Sequence, residues 1–421
     1  MIKKQLHEHL IKKSDELCSW YSDKISKLSV PIYSSYDIRE SLHKISAVDA
    51  NIYPAGFNNI CPADKEISVG LFNEYLLEHY EKKINRILLI TEEHTQNPYY
   101  WDNVYCIQNL IQNTGRSVQV AVPKKIEKPL VLTSASGRTI EVQSGYGDES
   151  WLKEFNPDLV ISNNDFSQPL KEWSETLDLP INPPRELGWH QRKKSLYFEN
   201  YNQLATEFSE LIGENPYHFR VETELFDQFD INSEESRAEL AHQVELMLQK
   251  LKKTYTENGI DQEPFVFIKN NSGTYGLGVV VVKSSEDVKN WTYKARKKMK
   301  AAKGGRDIEQ VIIQEGIPTV VKSEESIAEP VIYMIGKNLA GGFLRTHGEK
   351  SDSENLNAPG AVYKRLCVSD LMTDANRCIL ENVYGWIAKL GVLAIGLESE
   401  DMNVQYRDYL FSKGCQITSK P

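Results

Sequence analysis

Phe265-Val-Phe-Ile-Lys269-Asn-Asn-Ser272-Gly273-Thr274-Tyr-Gly276-Leu-Gly278-Val-Val-Val-Val282 is the stretch that decides the fold. It reads as a buried strand, a glycine-rich loop and a second strand. Gly273, Gly276 and Gly278 let backbone N–H groups converge on phosphate oxygens with no Cβ in the way. Lys269, at the end of the first strand, can reach back to a phosphate as a point charge. Ser272 and Thr274 add hydroxyl donors. No G-x-x-x-x-G-K-[ST] run occurs in the chain, which excludes a P-loop. The glycine loop runs into a valine-rich strand rather than a helix, which excludes the dinucleotide fingerprint. Taken alone, the same stretch is also the form of a plain hairpin turn between buried strands.

Working outward, residues 286–303 read as a charged helix, and residues 311–319 (Val-Ile-Ile-Gln-Glu-Gly-Ile-Pro-Thr) as a strand running into a turn. A third segment, 329–366, holds a strand opening at Glu329, a turn at Gly336, Lys337 and Asn338, a second strand through Gly341, Gly342 and Arg345, and a polar loop with Asn355 and Asn357. A guanidinium such as that of Arg345 can stabilise charge building on a transferring phosphoryl group. The amide oxygens of Asn355 and Asn357 are hard donors suited to Mg²⁺. The order and spacing of these segments resemble the ATP-grasp enzymes. That resemblance implies Gln314, Glu315, Gly316 and Ile317 as the hinge that reads adenine, and a glycine-loop lid over about 265–320. Many of those enzymes carry a late Glu-x-Asn metal pair; here the tail offers Glu398, Glu400 and Asp401 without it.

The chain around this core has 421 residues and reads as two domains. Residues 1–195 are expected to be an open α/β substrate-binding domain, and 196–421 an ATP-grasp nucleotide-binding and catalytic domain with antiparallel sheets. Short apolar runs at 85–91, 117–123 and 158–162, a helix at 101–113 and a hairpin about Gly137 point to a largely parallel sheet in the first part. Residues 1–28 read as one amphipathic helix, and 31–64 as a long ordered loop. A net charge of −10 argues against a broad nucleic-acid footprint. No run approaches the ~18 apolar residues of a membrane span. Six cysteines without a C-x-x-C pair exclude a zinc ribbon, and with no export signal in view they read as reduced thiols in the cytoplasm.

The 31–64 segment is rich in polar groups, and an amino-acid substrate needs a cation for its α-carboxylate and an acceptor for its α-amine. Arg39 or Lys44 with Asp37 or Asp49 could supply both, or the same groups could simply tie down a loop. Residues 48–61 (Val-Asp-Ala-Asn-Ile-Tyr-Pro-Ala-Gly-Phe-Asn-Asn-Ile-Cys) resemble the hallmark of proteobacterial glutamate–cysteine ligases. So do residues 92–101, residues 188–198 (Gly-Trp-His-Gln-Arg-Lys-Lys-Ser-Leu-Tyr-Phe), the glycine loop and 329–345. The resemblance implies ligation of the γ-carboxylate of L-glutamate to L-cysteine through an acyl phosphate, with ATP and Mg²⁺, as the first step of glutathione synthesis. It further implies that Lys269 and the glycine loop hold phosphates, that Arg345 stabilises the acyl phosphate, and that Asp37, Arg39, Lys44, Asp49, Asn51, Asn58, Asn59, Glu92 and Asn97 bind glutamate. Two other readings fit the same residues: a ligase of glutathione-synthetase type with a different acceptor, and a nucleotide-sensing module without turnover. The oligomeric state is left open, a homo-oligomer included.

Overall fold

The computed structural model describes residues 2–93, 96–273, 278–300, 308–375 and 378–410; Thr274 and Gly276 lie outside the described residues. In chain order, α1 (Ile2–Lys12) and α2 (Ser14–Ile25) precede β1 (Tyr33–Glu40) and β2 (Ile45–Asn51). Helix α3 (Pro62–His79), β3 (Arg86–Ile90), α4 (Pro98–Asn113), β4 (Ser117–Val122), β5 (Leu130–Thr133), β6 (Thr139–Ser144), α5 (Ser150–Phe155), β7 (Leu159–Ser162), α6 (Lys171–Glu175) and β8 (Ile181–Asn182) follow. Next come α7 (Lys194–Ile212), β9 (Thr223–Phe226), α8 (Glu234–Glu257), β10 (Val266–Asn270), β11 (Val279–Val282), α9 (Ser285–Lys289), α10 (Tyr293–Lys300) and β12 (Val311–Glu315). The chain continues through β13 (Lys322–Ser323), β14 (Ser326–Ile335), β15 (Asn338–His347), β16 (Val362–Leu366), α11 (Val368–Leu371), β17 (Met372–Ala375), β18 (Cys378–Glu381) and α12 (Val383–Asp401).

Three large sheets organise these elements, and β17 and β18 pair as a separate two-stranded one. The first runs β5-β6-β4-β3-β7-β8 and is parallel except at its β5–β6 hairpin, which turns at Gly137 with φ +78°. Its strands are short and apolar because helices cover them, and α4 ends where Gly115 takes up φ +81°. The second sheet, β11-β10-β12-β9, is antiparallel. Strand β10 alternates: Val266 and Ile268 pack on Leu240, Val244 and Met247 of α8, which sends Phe267 and Lys269 to the other face.

The third sheet, β16-β15-β14-β1-β2 with β13 beside β14, is antiparallel and central. Tyr36, Ile38, Ile332 and Met334 turn one face toward α12, whose Trp386, Ile387, Leu390 and Leu393 are fully buried. A helix apolar on nearly every side is one enclosed by its neighbours. The other face begins with Tyr33, Val331, Tyr333 and Phe343 and then becomes polar.

Three expected elements are corrected here. Residues 31–64 are not a loop: they hold β1, β2 and a 3₁₀ turn at Phe57–Asn59. The N-terminal helix breaks at Lys13 into α1 and α2, and the charged helix of 286–303 is broken between α9 and α10. The division at 195/196 does not coincide with the sheets, because β1 from the first part is hydrogen-bonded to β14 from the second, Tyr33 facing Ile335 and Asp37 facing Val331.

Candidate active site

The polar face of the central sheet meets the Phe267 and Lys269 face of the β11-β10-β12-β9 sheet across a solvent-open cleft. Asp37 faces Asp49 across β1–β2, and Glu329 faces Arg345 across β14–β15. Antiparallel partners share a face, so these side chains project to one side. Asp37, Arg39, Asp49, Lys194, Lys269, Glu329, Asn355 and Asn357 all line the cleft.

These charges neutralise one another in a connected network. Arg345 Nη1 lies 2.7 Å from Asp37 Oδ2 and 2.7 Å from Glu329 Oε1. Arg39 Nε lies 2.5 Å from the other Glu329 oxygen, and its Nη atoms donate to the carbonyls of Asp352 (2.9 Å) and Glu354 (2.7 Å). Arg39 thereby fixes the loop that carries Asn355 and Asn357. Lys194, the first residue of α7, pairs with Asp49. Lys269 donates to the Val48 carbonyl at 2.8 Å and to Gln314 Oε1 at 2.6 Å. Four cations thus meet three carboxylates, an excess that suits a polyanion.

Burial drives Lys269 down to about 8, against the pull of Asp49. Burial raises Asp49 and Glu329 in turn, but the first is held below the ordinary carboxylate range by Lys194 and Lys269, and the second by Arg39 and Arg345. Both remain ionised acceptors at neutral pH.

The glycine loop is docked at its start. The Asn271 carbonyl accepts from Lys194 N–H at 2.8 Å and its Oδ1 from Ser195 N–H at 2.9 Å. Ser272 Oγ donates to the Arg192 carbonyl at 3.0 Å. Gly273 lines the cleft, and a Cβ there would come within 3.0 Å of the Asn270 side chain. Gly278 takes φ +63°, where an L side chain is strained.

The structure therefore gathers Asp37, Arg39, Asp49, Lys269, Gly273, Asn355 and Asn357 and leaves other expected residues elsewhere. Arg345 is buried outside the cleft lining, held by the carboxylates of Asp37 and Glu329. Lys44 is spent on Glu315, at 2.7 and 2.6 Å. The Glu315 and Gly316 amides donate to the carbonyls of Glu222 (2.8 Å) and Phe265 (2.7 Å), so their N–H groups are not available to read a base. Gln314 offers its side chain to Lys269. Ile317 lines a narrower crevice with His43, Lys44, Tyr217 and Tyr255. Asn97 caps α4 through the Tyr99 and Tyr100 amides. Glu92, beyond the C-terminal end of β3, accepts from Asp165 N–H at 2.9 Å. Asn58 and Asn59 bond to each other beside Lys65, and Asn51 ends β2 opposite Ser35.

Sequence reasoning missed Lys194 and Glu329 as cleft residues and Arg192 as their support. Arg192 is fully enclosed: its Nε meets Glu398 at 2.9 and 3.0 Å, and its Nη1 meets the Ala50 carbonyl at 2.7 Å. It ties α12 and β2 to the turn before α7. The basic run at 192–194 was the available signal.

A cleft between two antiparallel sheets, with a docked glycine loop and a buried lysine, has the architecture of an ATP-dependent ligase. The chain belongs to the glutamate–cysteine ligase family, whose family model, GshA, matches residues 7–399. A solved structure from Methylobacillus flagellatus KT, designated a gamma-glutamylcysteine synthetase, is 29% identical, with a TM-score of 0.83 over 94% of this chain and 96% of that one. A D-alanyl-alanine synthetase A from Vibrio cholerae matches at 12% identity over 76% of this chain and 82% of its own, with a TM-score of 0.32. No curated protein sequence matches. Among the described residues no helix is long and apolar enough to cross a membrane.

Proposed function

We propose that this chain joins the γ-carboxylate of L-glutamate to the amine of L-cysteine, consuming ATP and passing through γ-glutamyl phosphate. The observation that supports this best is the cleft itself, where Lys269 of the facing sheet and Lys194 of α7 meet Asp37, Arg39, Asp49 and Glu329 of the central sheet. In this reading the backbone of the glycine loop and Lys269 hold the triphosphate. Arg39 and Asp49 take the α-carboxylate and α-amine of glutamate, leaving its γ-carboxylate in line with the γ-phosphorus. Attack gives the acyl phosphate and ADP. The cysteine amine then attacks the acyl carbon, phosphate leaves, and the amine's proton passes to a cleft carboxylate. Rate comes from positioning and from fixed positive charge, with no protein nucleophile.

Mg²⁺ suits the amide oxygens of the polar loop in the cleft: Asn355 and Asn357 are the residues that would hold it. When bound, the ion neutralises phosphate charge. The chain's own part is to carry those oxygens on a loop pinned by Arg39.

The test is ADP release with Mg²⁺-ATP and L-glutamate, with and without L-cysteine. Release that requires cysteine, and that falls about a hundredfold in Lys269→Ala, is expected. Release with a different amine but not with cysteine would reassign the acceptor. ATP binding without release for any amine would replace the ligase with a nucleotide sensor.

A further inference from the structure

Away from the cleft, where α3 meets β15 and α11, three buried side chains converge. Cys61 Sγ, Cys367 Sγ and an oxygen of Asp64 all lie within 4.8 Å of one another, and both thiols are free. Cys61 is the N-cap of the 18-residue α3, so its sulfur sits at the positive end of that helix. Cys367, at the exit of β16, receives the Nε of the exposed Arg365 and lies within hydrogen-bonding reach of Cys61. A helix N-terminus on one sulfur and a guanidinium on the other both favour a thiolate. The Cys367 S–H bond holds the Cys61 thiol below its usual range, while burial pushes Cys367 up. A sulfur whose surroundings favour the thiolate thus lies within 4.8 Å of a partner in position to resolve it. A metal fits less well: Asp64 Oδ2 already accepts from Val368 N–H at 2.9 Å, and the Arg365 cation sits where a metal ion would be repelled.

We propose that Cys61 and Cys367 form a peroxide-sensitive modification site that closes to an intramolecular disulfide. The Cys61 thiolate attacks one oxygen of hydrogen peroxide; the O–O bond breaks, a sulfenic acid forms and hydroxide leaves. Cys367 gives its proton to that hydroxide and attacks the Cys61 sulfur. The S–O bond breaks, the S–S bond forms, and the departing hydroxide takes a proton from solvent. Two thiols lose two electrons, peroxide gains them, and two waters result. Peroxide is small enough to reach a buried pair, and the two sulfurs already lie within 4.8 Å of each other. The bond would tie the start of α3 to the strand leaving the Asn355 and Asn357 loop.

The experiment uses the full chain with a small molar excess of hydrogen peroxide, followed by N-ethylmaleimide, digestion and peptide mass spectrometry. The expected result is a linked Cys61–Cys367 peptide that dithiothreitol reverses. Cys61 should react at least about tenfold faster than Cys106, whose thiol burial pushes up. Cys367→Ser should leave a dimedone-reactive sulfenic acid on Cys61, and Cys61→Ser should abolish both products. If either variant fails to fold by circular dichroism, the wild-type linkage and the relative rates decide alone. Oxidation confined to Cys18 or Cys106, crosslinks only between molecules, or native mass spectrometry showing zinc held with both thiols reduced would each overturn the proposal.

Discussion

Lys269 is a cleft cation that burial brings close to the neutral range. Burial lowers it from the ordinary lysine value to about 8, so near neutrality it is charged but close to losing its proton. As pH rises through about 8 the free protein loses that positive charge, and attraction for the triphosphate falls. Bound phosphates favour the protonated form, so the loss occurs at higher pH in the complex than in the free protein. The KM for ATP should therefore rise on the alkaline side of about pH 8, with kcat falling only at higher pH; Lys269→Arg should flatten the KM profile, since a guanidinium stays charged. A flat wild-type profile between pH 7 and 9 would contradict the role given to this lysine. Lys269 was legible because a lysine ending a strand before three glycines has few uses. Lys194 and Glu329 were not: Lys194 meets Asp49 at a separation of 145 residues, and Glu329 gains its meaning from Arg39 and Arg345 on neighbouring strands. Arg345 was read as a phosphate ligand because a lone guanidinium at a strand end looks free, and only register shows two carboxylates beside it.

Among the elements, β1 and β2 show why a strand can be read as a loop. Tyr33–Glu40 is buried at every position, with Tyr36 and Ile38 on α12 and Asp37 and Arg39 in the cleft network. Its polar side chains are satisfied across the sheet rather than by water, so the usual alternation of apolar and polar residues says nothing about exposure. The parallel strands, by contrast, are apolar on both faces and could be recognised one by one. Helix α12 closes the far side of the same sheet at very short range: a Cβ on Gly391 would lie 2.2 Å from the Tyr36 ring. Propensity alone favours alanine in a helix by up to about 1 kcal/mol. Overpacking opposes it, and Tyr36 sits on the strand that carries Asp37 and Arg39. Gly391→Ala should therefore destabilise the protein by about 1–3 kcal/mol in urea unfolding. It should also lower ligase activity more than it lowers the amount of folded protein, because displacing Tyr36 shifts β1. A stabilised variant would mean that α12 can slide without disturbing the cleft.

At the scale of the whole molecule, the cleft exists only because distant segments share a sheet. Residues 33–51 supply two strands, residues 326–366 supply three more, and α12, starting at Val383, covers their common face. The division at residue 195 follows the change from parallel to antiparallel patterning, which is a real feature of the sequence, but chain order is a poor guide to pairing when a strand near the N-terminus is joined to one about 300 residues later. The consequence is testable with a fragment. Residues 1–195 contain the complete parallel sheet, yet they also carry β1 with the edge that β14 occupies in the full chain unpaired, and the apolar α12-facing side of β1 and β2 uncovered. An unpaired edge joined to an uncovered apolar face is a template for association. The isolated fragment should aggregate or show non-cooperative thermal unfolding, whereas a fragment of residues 62–190, which removes β1 and β2 and keeps the parallel strands with α3 and α4, should remain more soluble. Circular dichroism melts and size-exclusion profiles of the two fragments check this. A monomeric 1–195 fragment that melts cooperatively would show that β1 and β2 do not depend on β14, and the catalytic cleft would then be a junction of two independently folded parts rather than the inner face of one continuous sheet.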